Sequence, residues 1–102
     1  MALTFNGRIF VSGFCDSTRL GCSYKLASKG ALLNIKNIIY FSLRSNYSVL
    51  LDYLGRVWFA GYKGKKSYEK HTKIYSNVKK FEATNKRLTV YTINGEVKVC
   101  NF

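Results

Sequence analysis

The chain has 102 residues, 47% of them apolar, so it is long enough for one domain with a modest core and too apolar for a disordered tail. Its 17 lysines and arginines exceed its five acidic residues and give a formal net charge of +12. A net charge of only about 2 to 8 is enough to keep a small domain soluble, so this excess predicts an acidic partner. No apolar run approaches the roughly 18 residues of a membrane-spanning helix, and we expect no membrane partner.

The cysteines favour a reducing compartment. Three of them, Cys15, Cys22 and Cys100, cannot all pair, and the first residues lack a charged stretch followed by a long apolar run. We therefore expect a cytoplasmic protein with reduced thiols. Six residues separate Cys15 from Cys22, more than the usual two to four of a zinc site, so no metal is expected.

The first predicted element is a two-residue turn at Asn6-Gly7, which opens the return strand of a hairpin within residues 6–14. Residues 16–36 are predicted as a looser segment. A short helix over 23–33 is left open there, although a glycine and scattered polar residues oppose it.

Two hairpins follow, each with a two-residue turn that ends in glycine, because glycine accepts a positive φ at no steric cost. Their strands should pair antiparallel, 48–53 with 56–59 around Leu54-Gly55, and 88–93 with 96–99 around Asn94-Gly95. A further turn at Asn85 should join 78–84 to 87–93. Residues 63–73 are predicted as a second looser segment.

The run 88–93 is partly apolar on both sides of the strand. Alternation separates its residues into two faces, Leu88, Val90 and Thr92 on one and Thr89, Tyr91 and Ile93 on the other. A strand with two partly apolar faces is typical of a sheet stacked between other layers.

One nine-residue phrase occurs three times, as NGRIFVSGF at 6–14, LGRVWFAGY at 54–62 and NGEVKVCNF at 94–102. Residues upstream of the last two copies also match at an offset of 40, as Phe41 does with Phe81 and Leu50 with Val90. The recurrence predicts a single small domain, 1–102, of two degenerate all-β repeats with turn glycines at Gly7, Gly55 and Gly95.

The repeat resembles that of the regulator of chromosome condensation family, in which Gly-x-Val-Tyr-x-Trp-Gly follows a strand that begins His-Ser-Leu. The second copy carries the resemblance best, with Tyr47-Ser48-Val49-Leu50-Leu51 and then Gly55-Arg56-Val57-Trp58-Phe59-Ala60-Gly61. The first copy has Gly7 to Gly13 and then Leu20-Gly21 at the family's spacing. The resemblance implies antiparallel propeller-type blades.

The chain also departs from the family's pattern. The family's tryptophan is replaced by Ser12, Ala60 and Cys100, its histidine by Tyr47 and Arg87, and the last copy has Asn101 at the second glycine. The resemblance implies a propeller of seven blades, whereas this chain holds about two. The open faces of such an incomplete propeller could be covered by a second copy of the chain or by another macromolecule, or the fold could be a closed sandwich. We favour another macromolecule.

Positive charge is densest between residues 63 and 87, where nine cations and two acidic residues leave a net +7. Lysines neutralise phosphates, and aromatic rings among them stack on unpaired bases, so the segment favours structured RNA over duplex DNA. The predicted nucleic-acid-binding residues are Lys63, Lys65, Lys66, Tyr68, Lys70, Lys73, Lys79, Lys80, Lys86 and Arg87. The alternative is a solvated connection whose aromatic rings pack inward, which we expect for Tyr75 and Phe81.

Catalysis has little basis in the sequence. Five scattered carboxylates and a single histidine in a lysine-rich segment offer no positioned acid and base. Gly64-Lys65-Lys66-Ser67 lacks the earlier glycine of a phosphate-binding loop, since that position is Phe59. We expect no enzyme activity, no cofactor and no small-molecule substrate.

These observations favour a non-enzymatic RNA-docking protein, a small component of the ribosome or another ribonucleoprotein, held on rRNA by its lysines and flanked by neighbouring proteins. The alternative is a protein-interaction module of the chromosome-condensation type. That module would bind an acidic protein, such as a histone or a small GTPase, and a nuclear location would suit it.

Overall fold

The computed structural model describes residues 2–3, 7–11, 31–32, 35–44, 47–63 and 66–101, and ten strands form three antiparallel sheets in these ranges. The first sheet has the order β1 (Ala2–Leu3), β2 (Ile9–Val11) and β3 (Ala31–Leu32). The second has the order β4 (Ile38–Leu43), β5 (Tyr47–Asp52), β6 (Val57–Lys63) and β7 (Lys66–Tyr75). The third has the order β8 (Val78–Ala83), β9 (Arg87–Thr92) and β10 (Val97–Asn101).

This architecture confirms the predicted all-β fold of antiparallel, propeller-type blades. The offset of 40 residues relates β4, β5 and β6 to β8, β9 and β10, so equivalent strands recur in the second and third sheets. The first sheet is a partial copy, in which β2 follows Gly7 as β6 follows Gly55. Among the described residues, no helix is long and apolar enough to cross a membrane.

The hairpin loops differ from the prediction. The Asp52 N–H donates to the Arg56 carbonyl at 3.0 Å, so the loop between the two strands has three residues, 53–55, and the next hairpin is built in the same way. The last loop residue is the left-handed one, with φ of +82° at Gly55 and +89° at Gly95. The predicted two-residue turn is therefore wrong, because a three-residue loop closed by a left-handed glycine joins the strands instead.

The segment 63–73, predicted as a looser connection, is mostly strand. β7 runs from Lys66 to Tyr75 and pairs with β6, with register shifts after Val57 and Phe59. Its lysines are exposed, while His71 is buried. Lysines on the outer edge of a sheet prevent further strand pairing, so a lysine-rich composition is compatible with an edge strand.

Several predictions fall outside the described residues. The turn residue Asn6 and the cysteines Cys15 and Cys22 lie there, and so does most of the segment 16–36. The described part of that segment includes Ala31–Leu32, which is strand β3.

The largest core cluster lies between the second and third sheets. The second sheet contributes Tyr47, Val49, Leu51, Val57 and Phe59, and the third contributes Val78, Phe81, Leu88 and Val90. All six residues of β5 are buried, because the second sheet is covered on both faces. Rings fill part of the interface: Tyr47 stacks on Phe59 with centroids 5.2 Å apart, and Tyr40 lies 5.0 Å from Phe81.

Candidate functional site

The second and third sheets have two ends. One, the glycine end, carries the loops that close on Gly55 and Gly95. The other, which we call the Thr84 end, carries the turn between β8 and β9. The Tyr47 hydroxyl holds this turn, because it lies 2.5 Å from the Thr84 carbonyl and 3.2 Å from the Arg87 carbonyl. A six-residue strand separates the two ends by roughly 17–20 Å.

The residues predicted to bind nucleic acid do not form one patch. Three lie at the Thr84 end, namely Lys66, Lys86 and Arg87. Three others lie toward the glycine end, namely Lys73, Lys79 and Lys80. Lys70 lies midway along β7, the backbone of Lys63 ends β6 at the Thr84 end, and Lys65 lies outside the described residues. A segment that is continuous in sequence is thus divided between opposite ends of the sheets.

The predicted lysines and arginine at both ends are exposed, and no ion pair joins them to a carboxylate in the described part of the chain. Three lysine ammonium groups lie over tyrosine rings instead. The distances to the ring centroids are 5.2 Å from Lys66 to Tyr68, 4.9 Å from Lys80 to Tyr91 and 5.6 Å from Lys98 to Tyr75. Each contact holds a cation over the face of an aromatic ring.

The aromatic residues of the basic segment lie mostly in or against the core. Phe81 is buried and Tyr75 is half-buried, in agreement with the inward packing expected for both. Tyr68, the preferred candidate for base stacking, packs against the core with its ring edge-on to Phe59 at 5.7 Å. His71 is buried and presents no ring to solvent.

Asp52 is a structural site that the sequence reasoning missed. Its carboxylate accepts the backbone N–H groups of Leu54 and Arg56 at 3.0 and 2.8 Å. It also accepts the Arg56 guanidinium at 2.6 Å and the Trp58 indole N–H at 3.0 Å. Burial raises the pKa of Asp52, but the hydrogen bonds from Trp58 and Arg56 and the Arg56 charge outweigh it, so the pKa lies below its ordinary value. An aspartate just before a loop that ends in glycine, with an arginine directly after the loop, was the available signal.

The single histidine serves packing rather than proton transfer. His71 Nε2 lies 2.7 Å from the Ser48 hydroxyl, while Nδ1 is buried without a partner in the described part of the protein. Burial lowers the pKa of His71 to about 4, so the ring is neutral at physiological pH. No cluster of three metal-binding side chains occurs among the described residues.

The outward face of the third sheet is the second feature that the sequence left unassigned. Thr89 and Tyr91 are half-buried, whereas Val97 and Val99 are 56% and 49% exposed. A sheet covered on both faces was predicted here, and it is the second sheet, not the third, that has this property. Arg87 stands where the second sheet has Tyr47, and this replacement of a core aromatic residue was the available sequence signal.

The comparisons with known proteins bear on the fold. No protein-family model matches the chain, and no curated protein matches it. Among solved structures, the crystal structure of human WBSCR16 matches with a TM-score of 0.75 and 16% sequence identity. The match covers 98% of this chain and 31% of that chain. The chain therefore shares its all-β fold with about a third of a longer protein, and at this identity the likeness concerns the fold alone.

Proposed function

We propose that this protein is a non-enzymatic protein-interaction module of the chromosome-condensation type, and that its Thr84 end binds an acidic protein surface. The observation that carries the proposal is the charge of that end. Lys66, Lys86 and Arg87 are exposed there without an ion pair to a described carboxylate, and Arg44 is exposed beside them before β5 begins. Charges held on one surface steer an oppositely charged partner and orient it.

The turn presents two of these cations in a fixed position. The Thr84 hydroxyl accepts the backbone N–H groups of Lys86 and Arg87 at 3.2 and 3.0 Å. The Tyr47 hydroxyl holds the same turn from the second sheet. Because the backbone is already ordered, a partner that binds here loses less conformational entropy than it would on a free loop.

Docking on rRNA stays a prediction from the sequence. Its base-stacking part has less support, because Tyr68 packs against Phe59 and Phe81 is buried. Contacts between lysines and phosphates need no aromatic platform, so RNA is the outcome that the experiment has to separate from an acidic protein.

The test compares two triple charge reversals in the tagged full chain. One changes the Thr84 end, as Lys66→Glu, Lys86→Glu and Arg87→Glu. The matched control changes exposed lysines toward the glycine end, as Lys36→Glu, Lys73→Glu and Lys79→Glu. Both lower the net charge by the same amount. We expect the first variant to lose the protein captured from native lysate, the control to keep it, and nuclease treatment to leave the native complex intact.

Two results would overturn the proposal. Release of the captured material by nuclease would assign the surface to RNA. Equal losses in both triple variants would show that net charge, and not the Thr84 end, holds the partner. A check of circular dichroism for each variant ensures that the loss reflects binding.

A further inference from the structure

The sheets of this molecule are joined by a repeated backbone contact, which we call the clasp. The carbonyl of a loop glycine accepts the N–H of the residue that opens the next sheet. Gly7 accepts from Ile38 and Gly55 accepts from Val78, both at 2.9 Å. The contact has nearly the same geometry twice, although the first sheet is only a partial copy of the repeat.

An asparagine completes each clasp. Asn37 and Asn77 precede the donor residues and take left-handed φ angles of 62° and 58°. Their carbonyls accept the N–H groups of the loop residues Tyr53 and Ile93, at 2.7 and 2.9 Å. The incoming sheet therefore begins with a left-handed residue followed by a β-branched residue, which fixes it to its own hairpin and to the preceding glycine.

The third glycine has the same conformation but no such neighbour among the described residues. A Cβ added at Gly7 or Gly55 would meet backbone atoms of the next sheet at 3.2 and 3.1 Å. At Gly95 nothing lies within 4 Å, and no described backbone N–H donates to its carbonyl.

The sheet face beside Gly95 repeats the surface that the second sheet buries. Val57 and Phe59 are fully buried against the third sheet, and their equivalents at the offset of 40 are the exposed Val97 and Val99. The outer edge of β10 is also open, since among the described strands β10 pairs with β9 alone. The equivalent strand β6 pairs with β7 at that edge.

We propose that this face of the third sheet docks a propeller-type β-sheet of a partner protein, whose first strand donates a backbone hydrogen bond to the Gly95 carbonyl. The two internal clasps supply the argument, because they show what this loop and this face bind when they are covered. The inference concerns a different surface from the Thr84 end and holds independently of the proposal made for that end.

A second copy of the chain does not fit as the occupant. Its two described strand openings of the required type, Asn37-Ile38 and Asn77-Val78, are already held by Gly7 and Gly55. The charge of the face also differs from that of the internal interface, since Lys80 and Arg87 replace Tyr40 and Tyr47. The partner sheet should therefore place carboxylates opposite these two cations.

The first experiment supplies a known sheet at high effective concentration. Residues 62–101 are appended directly after Asn101, so that the 40-residue period continues and a copy of Asn77-Val78 reaches Gly95. A soluble paramagnetic agent then reports the exposure of the Val97 and Val99 methyl groups. We expect the paramagnetic relaxation enhancement of these methyl groups to fall to the value measured for the buried Val57.

The matched control is the same tandem chain with the appended copy of Val78 changed to proline, which has no N–H to donate. We expect Val97 and Val99 to stay as exposed in this control as in the single chain. Unchanged relaxation in the tandem chain itself would overturn the proposal, as would equal protection in the proline control.

The second experiment asks what covers the face in the unextended chain. Val97→Lys with Val99→Lys should release a captured partner protein, whereas Ile39→Lys with Leu54→Lys, which places the same charges on other exposed apolar side chains, should not. Methyl protection that grows with the concentration of the single chain would assign the face to a second copy, and protection by added structured RNA would assign it to RNA. Either result would overturn the proposal.

Discussion

The second and third sheets have strands that correspond at an offset of 40 residues, and the two sheets differ in what covers them. Their hairpin loops have the same length, both clasps have the same bond length, and their strands align without a gap. Yet Val57 and Phe59 of β6 are fully buried, while the equivalent Val97 and Val99 of β10 are exposed. The repeat thus encodes a shape, and the neighbouring sheets decide which of its positions become core.

The largest difference between the two sheets is expected at the equivalent positions 59 and 99. Phe59→Ala should lower the free energy of unfolding by about 4 kcal/mol, because it leaves a cavity in the largest core cluster. Val99→Ala should cost less than about 0.5 kcal/mol, because its side chain is half in water. Urea unfolding measures both. Equal losses would mean that the third sheet is covered in solution as the second sheet is.

The next difference is expected between Asp52 and Thr92, the residues that hold the two hairpin loops through hydrogen bonds. Asp52→Ala should cost about 3 kcal/mol, because it leaves the Trp58 indole and two backbone N–H groups without their acceptor. Thr92, which holds its loop through the Glu96 N–H at 2.9 Å, has fewer partners, and Thr92→Ala should cost about 1 kcal/mol. Thermal unfolding of the two variants measures the two losses of stability and so gives their ratio. A larger loss for Thr92→Ala would contradict the assigned role of Asp52.

A pH dependence should come from the second sheet alone, because the third sheet has Leu88 where the second has Ser48 beside His71. The pKa of His71 is lowered to about 4 in the fold, against an ordinary value of 6.5. As the pH falls, the unfolded chain therefore binds a proton at this residue before the folded chain does. The contribution of His71 to the free energy of unfolding is fully present above pH 6.5 and is lost between pH 6.5 and 4, by up to about 3 kcal/mol. His71→Gln should flatten that part of the profile. A flat profile in the native protein would show that the ring is accessible to solvent.

The smallest expected difference lies at the loop glycines. Gly55→Ala and Gly95→Ala both place a side chain at a left-handed φ, which costs roughly 1–2 kcal/mol. Of these two, only Gly55 has the next sheet close by, with the Val78 carbonyl 3.1 Å from an added Cβ. Because a crowded methyl group costs about 1 kcal/mol or more, Gly55→Ala should destabilise the fold by about 1 kcal/mol more than Gly95→Ala. Denaturant midpoints measure the difference. If a docked partner sheet covers Gly95, its presence should make the two losses equal.

The strand pattern and the repeat could be predicted from the sequence because both follow from local chemistry. Alternating Leu88, Val90 and Thr92 and the glycines at 55 and 95 identified both hairpins and their pairing. The predicted loop length was wrong, because a glycine indicates a left-handed residue without showing whether one or two loop residues precede it. The segment 63–73 was predicted wrongly because its lysine-rich composition was weighed above the β-propensity of residues such as Tyr68 and Thr72.

The distribution of charge could not be predicted, since it depends on which strands run side by side. Lys66 and Lys86 are 20 residues apart in the chain and lie at the same end of the sheets, whereas Lys73 is nearer to Lys66 in sequence and lies toward the other end. Exposure of Val97 and Val99 was also missed, because their own sequence is that of a core strand. The signal lay on the neighbouring strand, where Arg87 replaces Tyr47.

The bond from Tyr47 to the Thr84 turn also has a consequence for how the molecule unfolds. Tyr47 belongs to the second sheet, and burial raises the pKa of its phenol to about 12, so its hydroxyl stays protonated and remains a donor across the whole physiological range. If the third sheet opened by itself, this buried hydroxyl would lose both carbonyl acceptors while its ring stayed stacked on Phe59. Opening of the third sheet would therefore also destabilise the second sheet, which would lose the hydrogen bonds of Tyr47. The two sheets should unfold in a single cooperative transition.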